Sequence, residues 1–232
     1  MDSILAWFRQ LQFDGVLETL LLVAASLLCI TVHETCHGLA AWWQGDPTAK
    51  NAGRLSLNPL RHVDWLGLLM MALVRFGWAK PVPVDMRNFR RPKAGMALTA
   101  LAGPVSNVLL AWLALMGFHL LLLAQFLHPG SRLVAYSLIF VQYVAIISAG
   151  LAVFNLLPVP PLDGSKVLFA CLPSRAYGRL MRYERYGALL LMALLLLGIL
   201  DRPLIVLRSW LLDALQVVSV WPLELAVRLM NL

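Results

Sequence analysis

Residues 93–132 read KAGMALTALAGPVSNVLLAWLALMGFHLLLLAQFLHPGSR, and between Lys93 and Arg132 lie 38 residues without a single Asp, Glu, Lys or Arg. A second run, residues 133–162, adds another 30 of the same kind. A helix crosses the hydrocarbon of a bilayer with roughly 20 apolar residues, so each run is long enough to span. A chain of 232 residues cannot hide both inside one soluble core. The whole composition agrees: 60% of residues are hydrophobic and 13% charged, where soluble domains carry about a quarter charged. The pattern predicts an all-α polytopic membrane protein with four to six membrane-embedded helices.

Working outward from that stretch, spans are expected at about 17–43, 94–127, 133–157 and 182–200. Gly45-Asp46-Pro47 stops the first, the turn His128-Pro129-Gly130 separates the second from the third, and Pro158 to Pro161 ends the third. Between the first and second spans the apolar patch 65–74 is too short to cross and reads as re-entrant or interfacial. The following Lys80-Pro81-Val82-Pro83-Val84-Asp85 reads as a short extended edge, because proline cannot serve a central strand. The tail, residues 203–232, carries Arg208, Asp213, Glu224 and Arg228 among apolar residues and reads as an interfacial helix. There is no internal repeat or polar linker, so the chain is taken as one integral-membrane domain over 1–232, with its core at about 17–200.

The net charge of +7 does not point to nucleic acid, because the basic residues sit in loops between apolar runs. Nine lie between residues 50 and 93, and Arg175, Arg179, Arg182 and Arg185 form a second group. Such loops are retained in the cytoplasm. This places the C-terminal ends of the first and third spans on the same, cytoplasmic side of a cell (inner) membrane. Cys29, Cys36 and Cys171 form no paired framework and read as small apolar residues.

One feature of the first span conflicts with a lipid setting. His33-Glu34-Thr35-Cys36-His37 places three ionisable groups within about one turn, and each costs about 2.5 to 3.5 kcal/mol at the centre of a membrane helix on insertion scales. His33 and His37 are four residues apart and share a helix face, where two neutral imidazoles can hold zinc. Glu34 occupies the position from which a carboxylate acts as general base toward water. A catalytic zinc site takes three protein ligands and leaves one position open. Glu18, 15 residues before His33, is roughly 22 Å away along the helix. Asp163 follows the third span on the side where His33 and His37 lie, and is the favoured third ligand; Asp64, beside the short apolar patch, competes with it.

These residues resemble the site-2 protease family of intramembrane zinc metalloproteases. The resemblance rests on His33-Glu34-Thr35-Cys36-His37 and on Asn155-Leu156-Leu157-Pro158-Val159-Pro160-Pro161-Leu162-Asp163-Gly164. Supporting segments begin at Gly53-Arg54-Leu55, at Ala79-Lys80-Pro81 and at Ala102-Gly103-Pro104-Val105-Ser106-Asn107. The resemblance implies one zinc ion held by His33, His37 and Asp163, with Glu34 activating water. It further implies hydrolysis of peptide bonds in or near the transmembrane segments of membrane-protein substrates, single-pass or signal-peptide-like, usually after another protease has trimmed them. Asn107 matches a family asparagine associated with positioning substrate or the developing oxyanion, and Pro81, Val82, Pro83 and Val84 would pair with an unwound substrate as an added strand. No inserted PDZ or CBS domain is evident. Two other classes compete on the bare residues: a metal transporter using His33, His37 and Asp163 as a transit site, and a non-catalytic scaffold with a structural zinc. The first would want further ligands along a path, for which His119 and His128 are the candidates. Glu34 disfavours the second, since a structural site closes its fourth position with a ligand.

Overall fold

The computed structural model describes residues 15–64, 67 and 80–229. Among these, eight α-helices follow in order: α1 (Val16–Trp43), α2 (Thr48–Asn51), α3 (Pro92–Leu127), α4 (Arg132–Asn155), α5 (Asp163–Ala170), α6 (Ser174–Leu196), α7 (Asp201–Ser219) and α8 (Trp221–Leu229). Short 3-10 turns occur at Pro59–Arg61 and Met86–Asn88. Four segments are long and apolar enough to cross a membrane: Val16–Trp43, Pro92–Leu127, Arg132–Asn155 and Asp201–Leu225. The chain is therefore a multi-pass, all-helical membrane protein. Leu109, Leu113 and Leu120 stay exposed along α3, as a lipid-facing helix surface requires.

The first three expected spans form as α1, α3 and α4. The fourth does not form where the hydropathy suggests. Helix α6 begins earlier, at Ser174, and only Tyr186–Leu196 of it is apolar. Gly198 takes φ +68, its N–H bonds Leu195 O and the Ile199 N–H bonds Leu194 O, both at 3.1 Å. This left-handed cap closes the last turn of a helix and needs glycine. A run that looks continuous to residue 200 is thus cut short. The long apolar segment near the C-terminus is instead Asp201–Leu225, inside the tail that its charges made look interfacial. The same cap ends α1: Gly45 sits at φ +103, with Gly45 N–H on Trp42 O and Asp46 N–H on Ala41 O, both 3.0 Å.

The contacts divide the chain into two compact units. The first comprises the chain up to Cys29, Asn107–Phe154 and the chain from Met192 on; the second comprises Ile30–Ser106 and Asn155–Leu191. In the first, Ala25, Cys29, Ala114, Leu115, Val144 and Ala145 form a buried core joined by Leu212 and Leu215 of α7. Small residues let helix backbones approach closely in lipid. Ser148 Oγ donates to Cys29 Sγ at 3.1 Å, so Cys29 is a packing residue. His119 is also satisfied: its Nδ1 donates to Ser219 O at 3.0 Å, and Gln216 Nε2 donates to its Nε2 at 3.0 Å.

The second unit is organised after α1 by Asp46, which is fully buried. Its carboxylate accepts from Thr48 N–H (3.0 Å), Thr48 Oγ1 (2.5 Å), Asp85 N–H (2.7 Å) and Asn88 Nδ2 (2.7 Å). The end of α1 is thereby tied to the turn at Met86–Asn88.

The expected re-entrant patch, residues 65–74, lies outside the described residues apart from Gly67. The expected short β segment does not form: no strand occurs among the described residues. The reason is visible in the bonding of residues 80–85. Pro81 and Pro83 have no N–H, Val82 N–H donates to a side chain (Glu34 Oε2, 3.0 Å), and the carbonyls of Lys80 and Pro81 accept from Arg54. Too few backbone groups remain to build a ladder.

Because charge-assisted hydrogen bonds contribute about 1.5 to 3 kcal/mol each, Asp46→Ala should destabilise the protein by about 3 kcal/mol or more and lower its Tm in detergent by several degrees. Arg87→Ala, which removes only an exposed ion pair with Asp85, should leave Tm nearly unchanged.

Candidate metal centre

His33, Glu34 and His37 lie in the C-terminal half of α1, and Asp163 is the first residue of α5. Within the second unit the fold brings three of them together. His33 Nε2 and His37 Nε2 are 2.9 Å apart, and Asp163 Oδ2 lies 3.3 Å from the first and 3.1 Å from the second. The imidazole planes are at 90° with centroids 4.5 Å apart, so the two rings point their Nε2 atoms toward a common point. Zinc with ligands at about 2.0 to 2.1 Å in tetrahedral geometry would hold its donors roughly 3.3 Å from one another. The observed triangle, two nitrogens and one carboxylate oxygen, matches that size and chemistry. Among the described residues this is the only group of three or more His, Cys, Asp or Glu placed to hold a metal ion.

Surrounding groups fix the donors. His37 Nδ1 donates to Thr99 O at 2.7 Å, which in the neutral ring leaves the lone pair on Nε2, the ligand orientation commonly set by a backbone carbonyl. Gly103, one turn further along α3, gives the rings room. A Cβ there would lie 2.6 Å from His33 Cε1 and closer still to His37 Nε2 and Cε1. Gly164 does the same for the third donor: a Cβ would collide with the backbone of Leu156 and Leu157, so only glycine lets the chain turn sharply after the prolines and deliver Asp163.

Asp163 is buried, at 8% exposure. Burial pushes its carboxyl up, but hydrogen bonds from His33 and His37 and the charges of His37 and Lys166 outweigh this and hold it well below the usual carboxylate range. Lys166 was not apparent as a site residue. Its Nζ lies 3.6 Å from Asp163 Oδ1, while Oδ2 faces the imidazoles, so the two carboxylate oxygens have separate tasks. The spacing of three residues along a helix starting at Asp163 is the signal that could have found it.

Glu34 is half-buried next to the cluster in sequence, and its Oε2 accepts from Val82 N–H at 3.0 Å. The segment Pro81, Val82, Pro83 and Val84, expected as a free edge, is therefore attached to Glu34 through its first N–H. The expected competitor, Asp64, is not part of the cluster; its Oδ1 accepts from Gly67 N–H at 3.1 Å. Cys36 is likewise outside it. His62 is structural, with Nε2 donating to Ser56 O at 2.8 Å. Asn107 is fully buried on α3 and belongs to the first unit.

Known sequences resemble this chain over most of its length. The sequence model described as Peptidase family M50 matches residues 119–199. "Putative zinc metalloprotease YwhC" from Bacillus subtilis is 38% identical over 176 residues, 75% of this chain and 78% of that protein. "Putative zinc metalloprotease Rip2" from Mycolicibacterium smegmatis is 29% identical over 90% of this chain and 80% of its own length. The protein of the same name from Mycobacterium tuberculosis is 30% identical over the same shares. No solved structure matches.

Gly103→Ala places a methyl group against both rings. Metal analysis of the purified variant should find less than about half the wild-type divalent-metal content, because a clash of this kind shifts donors from a geometry that tolerates about 0.5 Å. Gly117→Ala, where a Cβ meets nothing within 4 Å, should retain full content.

Proposed function

The chain belongs to peptidase family M50, the site-2 protease family of zinc metalloproteases, and on that premise we propose that it is a zinc-dependent endopeptidase cutting within or near the transmembrane segments of membrane-protein substrates. The observation that carries this reading is the convergence of His33 Nε2, His37 Nε2 and Asp163 Oδ2 beside Glu34. His33, His37 and Asp163 would hold one zinc ion. When bound, zinc supplies Lewis acidity toward water and the scissile carbonyl.

The remaining steps belong to the protein's own groups. Glu34 takes a proton from the attacking water as its oxygen bonds to the carbonyl carbon, and returns a proton to the amine as the C–N bond breaks. Val82 N–H anchors Oε2 of Glu34, which leaves Oε1 for proton transfer. Lys166 neutralises the second oxygen of Asp163. Substrate would align along Pro81, Val82, Pro83 and Val84, and Asn107 would orient substrate or the developing oxyanion. A helical substrate must first unwind to expose its carbonyl. Helix-breaking residues lower that cost by up to about 1 kcal/mol for Gly and 3 for Pro, so such substrates are preferred.

On this reading the site lies near the cytoplasmic face of the cell membrane and the whole chain acts as one membrane-embedded domain, a reading that the loops rich in Lys and Arg support. Transport of metal is less well supported, because both nitrogens of His119, one of the two candidates for a further station, are engaged by Ser219 and Gln216.

Glu34→Gln should retain zinc but reduce cleavage of a reconstituted transmembrane substrate by about 10²- to 10⁴-fold, the usual contribution of a positioned base. Asp163→Asn should lower zinc content, and Asp64→Asn should not. Cleavage by Glu34→Gln at the wild-type rate would remove Glu34 from its role, and zinc flux into sealed vesicles without proteolysis would favour transport.

A further inference from the structure

A second site lies away from the histidines, in the loop that follows α2. A cavity of about 320 Å³ is lined by Ala52, Gly53, Arg54, Leu60, Arg61, Val63 and Lys80. Three of these side chains are cations, and none of the described lining residues is acidic. Like charges gathered around one hollow repel each other unless an anion occupies it.

The state of Arg54 gives this independent weight. The residue is buried, at 7% exposure, and its Nη2 donates to the carbonyls of Lys80 and Pro81. Its Nε is buried with no hydrogen-bond partner among the described residues. A buried guanidinium N–H left unpaired is costly, and such groups in native proteins mark a missing water or ion. Neither backbone carbonyl bears a full charge, and among the described residues no carboxylate forms an ion pair with Arg54. Arg61 and Lys80 are exposed beside it, with the Arg61 guanidinium tethered to Gly53 O.

We propose that the cavity formed by Arg54, Arg61 and Lys80 binds a phosphate-bearing anion. Guanidinium groups match phosphate oxygens with paired N–H donors, and a lysine adds a point charge. The surroundings favour a phospholipid headgroup as the source. Leu57 and Leu60 are 71% and 68% exposed next to the cations, and Leu60 itself lines the cavity. Apolar side chains exposed beside basic ones are the composition of a surface that sits in the headgroup region.

Occupancy would bear on the metal centre through a short path. Arg54 holds the carbonyl of Pro81, and the next peptide N–H, at Val82, holds Glu34. An anion that fixes Arg54 therefore steadies the peptide that anchors this carboxylate.

The site can be tested without reference to proteolysis. Delipidated full-length protein in neutral detergent would be titrated separately with short-chain phosphatidylglycerol, short-chain phosphatidylcholine and inorganic phosphate, and binding followed by native mass spectrometry. Phosphatidylglycerol should bind in preference to phosphatidylcholine, and Arg61→Gln/Lys80→Gln should weaken it at least about tenfold, since each basic residue near an anionic surface contributes about 1 kcal/mol. Lys50→Gln/Arg91→Gln removes the same charge outside the cavity and should bind as wild type. Lys80→Gln alone, which keeps the Arg61 tether to Gly53, should already show a loss. If inorganic phosphate binds as tightly as phosphatidylglycerol and the same variants weaken it, the anion site stands and its source is free phosphate. Equal binding of all probes by wild type and Arg61→Gln/Lys80→Gln would overturn the proposal.

Discussion

The candidate site in the second unit is shaped by the cost of placing two imidazoles and a carboxylate in apolar surroundings. Singly, each would be a liability that a helix of leucines and alanines could not offset. Together their donor atoms lie 2.9 to 3.3 Å apart, a spacing at which a shared cation compensates all three. The chain achieves this with local devices. A carbonyl of α3 fixes one ring, the absence of a Cβ at Gly103 admits both, and the absence of one at Gly164 lets the chain turn back and bring Asp163 under them.

The first three spans and the grouping of His33, His37 and Asp163 are legible in the sequence because both depend on strong, local signals. An uncharged run of 38 residues has few other fates, and histidines four apart share a helix face whatever surrounds them. Asp163 could be anticipated because its position after the proline run combines a helix stop with a topological side. What the sequence does not reveal depends on close approach between segments distant along the chain. Gly103 looks like half of a Gly-Pro helix irregularity until the rings of His33 and His37 are placed against it. The attachment of Val82 N–H to Glu34 has no signature in residue type, because it uses a backbone donor. Near the C-terminus, hydropathy alone could not see that Gly198 caps α6, and the scattered charges of residues 203–232 concealed a segment long enough to cross.

Residues 80–85 carry more than their composition suggests. Their prolines prevent a ladder, and their remaining polar groups go to separate partners: His62 O takes the N–H of Lys80, Arg54 takes the carbonyls of Lys80 and Pro81, Glu34 takes the N–H of Val82, and Asp46 takes the N–H of Asp85. The segment thus links the end of α1, the basic cavity and the carboxylate that neighbours His33 in sequence. The backbone of this segment is thereby held at both ends.

The most direct measurement of the central claim is zinc X-ray absorption on the purified, active protein. The account expects one zinc per chain with nitrogen and oxygen neighbours at about 2.0 to 2.2 Å, imidazole scattering from two rings, and no sulfur. A sulfur neighbour at about 2.3 Å, or a coordination shell that Asp163→Asn leaves unchanged, would contradict it.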